Sequence, residues 1–145
     1  MNPVSSKRNT CISFSDETEA PLLLLIFNNP DCSLCHRTEE EIEGDSTIQR
    51  MIRQGRMRVL AITPDADFEE WERHHYPHNW MVGFDREKAI YGQRLYDIQR
   101  LPCMYLLDKD KRVLLKEANY ERLRKFIEKK HQQVRFSYQK FGKLE

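Results

Sequence analysis

Two cysteines at i, i+3 spacing, Cys32 and Cys35, are the side chains of this sequence best suited to chemistry. They closely follow the apolar run Leu22–Phe27, which has the length and composition of a strand buried on both faces. If a helix begins at the pair, Cys32 lies beside unpaired backbone N–H groups, which favour a thiolate over a thiol. The pair therefore predicts electron transfer through a disulfide, and a structural disulfide or inert buried thiols are the less favoured interpretation.

The other two cysteines are isolated in the sequence. Cys103 follows Pro102 in an apolar segment, so a core thiol is favoured over a third redox or metal-binding sulfur. Cys11 lies in a polar segment and gives no specific signal. One redox pair and two single thiols are thus the simplest interpretation, because four cysteines are too few for a disulfide-stabilised scaffold.

Histidines and cysteines together offer two possible metal-ligand sets. A soft site would form if the fold brought together the side chains of Cys32, Cys35, Cys103 and His36. Structural zinc, however, commonly uses two closely spaced ligand pairs, and this sequence has one CxxC. His74 and His78 have i, i+4 spacing, but Pro77 is expected to break a helix between them, which favours a solvated face. We therefore expect no metal and no cofactor.

Length and composition predict one soluble domain. The 145 residues suit a single domain over 1–145, with a polar N-terminal lead-in over 1–20 and a C-terminal extension of undecided structure over 131–145. The 24 basic and 23 acidic residues leave a net charge of +1, so nothing attracts the chain to nucleic acid or to an anionic membrane. The mean hydropathy is -0.77, and the longest apolar run is far shorter than the roughly 20 residues of a transmembrane helix.

Apolar runs and turn residues predict an α/β domain with elements in the order β-α-β-α-β-α-β-β-α. The predicted strands are Leu22–Phe27, Met57–Thr63, the alternating Trp80, Val82 and Phe84, then a hairpin of Met104 to Leu107 and Val113 to Leu115, with a possible short strand over Cys11 to Phe14. The first predicted helix runs from Ser33 to about Glu43 and resumes after Gly44 to end at Gly55.

Three more helices are predicted further along the chain. The next opens at Pro64-Asp65 and closes at Pro77, with one side formed by Phe68, Trp71 and His75. Another has the helical spacing of Tyr91, Leu95 and Ile98, and the last begins near Tyr120 with an inward face of Leu123, Phe126 and Ile127. Beyond residue 131 the pattern is open, since Val134, Phe136 and Tyr138 fit a strand and Val134, Tyr138 and Phe141 fit a helix.

Two segments, Phe27 to Cys35 and Tyr96 to Asp108, carry a family resemblance. They resemble the ResA/TlpA-like thiol-disulfide oxidoreductases of the thioredoxin superfamily, and the similarity covers about residues 20 to 130. The resemblance implies a thioredoxin-like fold, in which helices cover both faces of a central mixed β-sheet. It also implies that Cys32 is the attacking cysteine, Cys35 the resolving cysteine, and Pro102 a cis-proline that packs against the disulfide and orients the substrate chain.

The sequence also departs from the superfamily pattern. Ile26 stands where thioredoxins carry a buried aspartate that assists proton transfer at the resolving thiol, and Asn29 stands where peroxiredoxins keep a threonine. Asp31 replaces the usual tryptophan before the first cysteine, and its negative charge opposes thiolate formation while the helix N-terminus promotes it. We therefore expect a less acidic attacking thiol than in strong oxidants.

The leading hypothesis is a thiol-disulfide oxidoreductase that reduces protein disulfides through a mixed disulfide. Its substrate chain would lie against an apolar rim formed by Leu34, Pro30, Leu101 and Pro102. The alternative is a noncatalytic thioredoxin-like module that binds a peptide or a metal. The expected partners are a protein disulfide and a thiol reductant. The resemblance implies an extracytoplasmic, periplasmic location behind a signal segment, or a cytoplasmic one if the chain is complete, and the oligomeric state stays open.

Overall fold

The computed structural model describes residues 4–6, 11–12, 21–88, 90 and 98–140. Within these ranges the strands are β1 (Val4–Ser6), β2 (Cys11–Ile12), β3 (Leu22–Phe27), β4 (Met57–Thr63), β5 (Met81–Phe84), β6 (Cys103–Asp108) and β7 (Val113–Ala118). The helices are α1 (Ser33–Glu43), α2 (Ser46–Arg53), α3 (Phe68–Arg73) and α4 (Tyr120–Lys140). None of the helices in this part of the chain has the length and apolarity needed to cross a membrane.

The strands form one mixed sheet in the order β2-β1-β5-β4-β3-β6-β7. The central strand β3 runs parallel to β4 and antiparallel to β6, and β4 in turn runs parallel to β5. Five strands, from β5 to β7, form the body of the sheet, and the short β1 and β2 extend it beyond β5. Since β3 is hydrogen-bonded on both sides, the loop that follows it leaves the sheet at its centre.

Alternate side chains of β3 enter two separate hydrophobic clusters, which explains why the whole strand is apolar. Leu22, Leu24 and Ile26 pack on the face covered by α1, α2 and α4. Leu23, Leu25 and Phe27 pack on the other face, and the described residues that cover them include Ile90, Ile98 and Leu101. All six side chains of β3 are buried. The cysteine pair therefore follows a strand that is packed on both faces.

The junction between α1 and α2 is set by local capping. At Gly44 the α1 helix ends, and the backbone N–H of Gly44 donates to the Glu40 carbonyl at 2.9 Å. Asp45 is the N-cap of α2, because its Oδ1 accepts the backbone N–H of Ile48 at 3.0 Å. Its other oxygen accepts the hydroxyl of Tyr120 at 2.7 Å, so the same carboxylate joins α2 to the start of α4.

Strand β7 forms one edge of the sheet and is irregular. Its pairing with β6 shifts register between Met104 and Leu106 and again between Leu106 and Leu107. Glu117 has a φ of 50°, a left-handed conformation that is uncommon for a residue with a side chain. The side chains of Val113 and Lys116 are exposed on this strand. The hydrogen-bonded pairing of β7 with β6 is therefore irregular.

Most of the predicted elements are confirmed, including a mixed sheet flanked by helices. The bounds of α1 and β4 are as predicted, and the predicted hairpin appears as β6 and β7 with longer strands. The open choice after residue 131 is resolved in favour of a helix, because α4 continues to Lys140. Residues 141–145 lie outside the described residues.

Two predictions need correction, and a third lies almost wholly outside the described residues. The lead-in was not expected to contain β1, a strand of three residues that is too short to show a hydrophobic pattern. Helix α3 is shorter than predicted and ends at Arg73, since His74 already has an extended backbone with φ -71° and ψ 136°. His75 therefore lies outside the helix and is exposed. Of the helix predicted over Tyr91 to Ile98, Ile98 is described and is not helical, and residues 91–97 lie outside the described residues.

Candidate redox site

The cysteine pair lies at the connection between the central strand β3 and helix α1. After β3, a short turn brings the backbone N–H of Cys32 to the carbonyl of Asn29 at 3.3 Å. Cys32 then serves as N-cap of α1 with an extended backbone, and Cys35 lies in the first turn of the helix. The two cysteines form a disulfide with a Cα–Cα distance of 5.1 Å. The CxxC spacing at the helix N-terminus therefore brings the two sulfur atoms close enough to form a disulfide.

The two sulfur atoms differ in environment. Cys32 is half-buried, whereas the Cys35 residue is only 1% exposed. The backbone N–H of Cys35 donates to Sγ of Cys32 at 3.1 Å, so the sulfur accepts the N–H that a side-chain oxygen accepts at most helix N-caps. This donor and the helix N-terminus would both stabilise a negative charge on Cys32 in the reduced form. Of the two sulfurs, Cys32 is thus the one available to an outside reactant.

The loop that precedes β6 also approaches the cysteine pair. β6 begins at Cys103, which lies opposite Phe27, so the residues before β6 and those after β3 meet at one end of the sheet. The peptide bond between Leu101 and Pro102 is cis, and the Leu101 carbonyl oxygen lies 3.9 Å from Sγ of Cys32. Leu101 and Pro102 are both half-buried.

The remaining predicted rim residues surround Cys32 in sequence and differ in exposure. Leu34 is 57% exposed and, with Val113, is one of two large apolar side chains exposed among the described residues. Pro30 is half-buried, and Asp31, between Pro30 and Cys32, is exposed. The surface around the disulfide is therefore apolar on the Leu34 side and carries one carboxylate.

A cluster of polar side chains that the sequence did not indicate lies behind the pair. Glu39, one helical turn beyond Cys35, is buried, and Nε2 of His74 donates to its carboxylate at 3.1 and 3.2 Å. The ring of His36 lies 5.0 Å from that of His74 between centroids. Burial raises the pKa of Glu39 above its ordinary value, and the hydrogen bond and charge of His74 oppose that change.

This cluster corrects the expectation that the histidines near Pro77 form a solvated face. His75 and His78 are exposed, but His74 is half-buried, because Glu39 binds it and the Tyr76 ring packs edge-on against it at 4.4 Å. The sequence signal for this cluster was Glu39, an acidic residue on the helix face that points toward the core. That signal becomes informative only when its partner, His74, is known.

Comparison with known proteins defines the family. No protein-family model matches the sequence, and none of the curated proteins does. The structure is similar to that of a conserved protein of unknown function from Bacteroides fragilis, with 34% identity and a TM-score of 0.83 over 87% of this chain and 93% of that one. It is also similar to a thioredoxin-like protein from Bacteroides caccae, with 32% identity and a TM-score of 0.81, covering 86% of this chain and 45% of that one.

The chain belongs to the thioredoxin superfamily. It spans about half the length of the Bacteroides caccae protein. A thiol-disulfide oxidoreductase from Bacteroides fragilis shares the thioredoxin-like fold at 20% identity and a TM-score of 0.67, over 88% of this chain and 94% of that one. The fold recognised from two sequence segments is thus the fold that these solved structures have.

The buried residues Ile26 and Cys103 lie near this thioredoxin-like site, and Ile26 departs from the thioredoxin pattern. Ile26 is 1% exposed and lies in the hydrophobic cluster between Ala61 and Met104 of the neighbouring strands, so no acid of β3 lies beneath the disulfide. Cys103 is buried in the other hydrophobic cluster and takes part in no disulfide. Its placement agrees with the interpretation of Cys103 as a core thiol.

Proposed function

We propose that this thioredoxin-like domain is a thiol-disulfide oxidoreductase that reduces disulfides in protein substrates. The observation that carries the proposal is the Cys32–Cys35 disulfide, with its first sulfur accessible at a helix N-terminus and beside Leu101 and Pro102. A purely structural disulfide gains nothing from an exposed apolar neighbour such as Leu34 or from an N–H aimed at one sulfur. Both features suit a sulfur that reacts with another chain.

In the proposed reaction, the reduced protein attacks first through Cys32. Its thiolate forms a bond to one sulfur of the substrate disulfide, the substrate S–S bond breaks, and the departing thiolate takes up a proton. Cys35 then loses its proton and attacks Sγ of Cys32, which releases the second substrate thiol. Two electrons have passed from the cysteine pair to the substrate. A dithiol partner restores the reduced form by the same two exchanges in reverse.

Substrate contacts are assigned to the residues around Cys32. Leu34 and Pro30 provide apolar surface on one side, and Leu101 and Pro102 do so on the other. A peptide that lies between them would bring its disulfide to the half-buried sulfur of Cys32, while Cys35 stays covered. The buried position of Cys35 favours its role as the resolving thiol. Its sulfur cannot reach a separate substrate molecule, but it can attack Sγ of Cys32 once the substrate is bonded there.

The resemblance to ResA/TlpA-like proteins supports two further parts of the proposal. The reductant is another protein with a dithiol, and the site of action is extracytoplasmic. Reduction of substrate, the direction that this resemblance favours, requires that the reductant partner has a lower reduction potential than the Cys32–Cys35 pair.

Turnover of a model protein disulfide with dithiothreitol as electron donor tests the proposal. The wild-type chain is expected to accelerate reduction, and Cys32→Ala is expected to lower the rate to that of dithiothreitol alone. Reduced Cys35→Ala, mixed with the substrate after removal of dithiothreitol, should instead accumulate a mixed disulfide between Cys32 and substrate, which non-reducing electrophoresis and mass spectrometry detect.

Cys103→Ala is the matched control, because it removes a third thiol that is buried in the core and forms no disulfide. It is expected to keep the wild-type rate per folded molecule. Equal rates for the wild type and Cys32→Ala would exclude the enzyme and leave a binding module with the same surface.

A further inference from the structure

Three potential metal ligands lie close together, two of them on α1 and the third just after α3. One donor atom each from His36, Glu39 and His74 can be chosen such that all lie within 4.8 Å of one another. Zinc bonds of about 2.0 to 2.1 Å in a tetrahedron place neighbouring donor atoms about 3.3 Å apart. The distances between His74 Nε2 and the two Glu39 oxygens, 3.1 and 3.2 Å, are already close to this spacing, and a zinc ion would replace the proton that Nε2 donates to the carboxylate.

Only His36 has to move closer, and its side chain is exposed. No separation within the cluster exceeds the tetrahedral spacing by more than roughly 1.5 Å, so a small shift of the His36 ring is enough. His36 and Glu39 have i, i+3 spacing on α1 and therefore share one face of that helix. The ligand set is thus preassembled by the fold apart from one surface side chain.

Other contacts hold the two histidines in place, and the contact of His36 is of the kind that ligating histidines usually make. Nε2 of His36 donates to the Pro30 carbonyl at 2.6 Å, and a neutral ring with its proton on Nε2 has its lone pair on Nδ1. His74 packs against the edge of Tyr76, whose hydroxyl is bonded to Thr63 at 3.1 Å. Thr63 itself is fully buried at the end of β4. His74 therefore rests on the rigid part of the sheet.

We propose that His36, Glu39 and His74 bind a divalent transition-metal ion of the zinc type. Two imidazoles and one carboxylate are a donor set that zinc accepts, and a three-residue set leaves its fourth position for water or for a ligand atom from outside. The exposed His36 provides the opening to solvent, and the buried Glu39 supplies the compensating negative charge. Because His36 directly follows Cys35 in sequence, the ion would lie on the same helix turn as the redox pair.

Titration of the metal-free, oxidised full chain with Zn²⁺ in a calorimeter tests this site. The closed disulfide keeps the thiolates of Cys32 and Cys35 from acting as ligands. The wild type is expected to saturate at one Zn²⁺ per chain in the micromolar range, and Co²⁺ in its place should give the visible bands of a four-coordinate ion. His36→Ala, Glu39→Gln and His74→Ala should each weaken binding by at least about tenfold.

His75→Ala is the matched control, since His75 is the exposed neighbour of His74 and lies outside the cluster. It should bind Zn²⁺ as tightly as the wild type. Should the buried substitutions disturb folding, as judged by circular dichroism, His36→Ala alone decides, because its side chain is on the surface. Absence of binding to the wild type, or unchanged affinity in His36→Ala, would overturn the proposal. The titration involves no turnover, so its result is independent of oxidoreductase activity.

Discussion

The different exposure of the two cysteines determines what each can do. Cys32 is half-buried and accepts a backbone N–H, whereas Cys35 is buried beneath it. An incoming disulfide can therefore reach Cys32 and cannot reach Cys35 directly. The exposed side chain of Leu34, close to this sulfur in sequence, is apolar and lies on the first turn of α1. In the proposed reaction it provides the hydrophobic contact to the substrate chain.

At the residue scale, we predict that Leu34→Ala weakens catalysis without weakening the fold. Loss of part of a leucine contact with the substrate is expected to cost about 1 kcal/mol, or roughly a fivefold decrease in kcat/KM for a peptide disulfide. Alanine is a good helix former, so stability should change by less than about 0.5 kcal/mol. Steady-state kinetics and urea unfolding measure the two quantities.

Val113→Ala is the control for Leu34→Ala. Val113 is the other large apolar side chain exposed among the described residues, at 53%, and it lies opposite Leu107 on the hairpin. Leu107 is four residues from Cys103, and β6 begins at Cys103 at the end of the sheet where the cysteine pair lies. Val113 is therefore about 13 Å along the sheet from that end. A fivefold loss in both variants would show a general surface effect and argue against a contact at Leu34.

The two site cysteines could be predicted from sequence because their geometry is local. A strand, a turn and a CxxC at a helix start are all contained within residues 22 to 35. The pair formed by Glu39 and His74 could not, because 35 residues separate them and α3 ends earlier than its pattern predicts. Likewise the approach of the Leu101 carbonyl to Cys32 joins positions 69 residues apart and was not predicted, since the family resemblance implied only that Pro102 packs against the disulfide.

At the element scale, one carboxylate holds two helices together. Asp45 caps α2 with one oxygen and binds the Tyr120 hydroxyl at the start of α4 with the other. Aspartate before a helix is a recognised N-cap signal, so the cap is visible in the sequence. The bond to Tyr120 spans 75 residues and has no local signature. Element positions were therefore more predictable than the contacts between elements.

We predict that Tyr120→Phe destabilises the protein by about 1 kcal/mol below pH 10, through loss of the hydrogen bond to Asp45. Burial, and then donation of the hydroxyl proton to Asp45, raise the pKa of Tyr120 to about 12. Because this folded-state pKa lies above the unfolded value of about 10, the contribution is complete below pH 10 and is lost as the pH rises toward 12. Urea unfolding of both proteins from pH 7 to 12 measures the difference.

A second background isolates this bond. Asp45→Ser keeps an N-cap side chain for α2 but removes the oxygen that Tyr120 binds. In that background Tyr120→Phe is expected to have almost no effect at any pH. A difference between wild type and Tyr120→Phe that stayed constant from pH 7 to 12 would contradict the assigned role of the hydroxyl.

At the scale of the whole molecule, stability depends on a central strand with a hydrophobic cluster on each face. Leu24 and Leu25 are neighbours in sequence, both 0% exposed, and belong to different clusters. An unbroken apolar run predicts such a strand, because alternation disappears when both faces are covered. The sequence could not reveal the extension of the sheet by β1 and β2, since strands of three and two residues have no periodicity.

We predict that Leu24→Ala and Leu25→Ala each lower the free energy of unfolding by about 3 kcal/mol, because each leaves a cavity in a fully packed cluster. Leu34→Ala, the same chemical change at an exposed position, provides the comparison. Chemical denaturation with the disulfide kept oxidised in all variants measures the losses. A loss below about 1 kcal/mol for either buried position would mean that its cluster is not essential to the fold.

The irregular outer strand affects how the protein behaves at high concentration. A sheet edge normally offers a row of unpaired backbone groups to which another molecule can add a strand, the first step toward aggregation. In β7 the register shifts and the left-handed Glu117 interrupt that row, and Lys116 adds a charge. A second copy of the chain finds no continuous template there. The same distortion that spoils the hairpin ladder thus protects this edge from self-association.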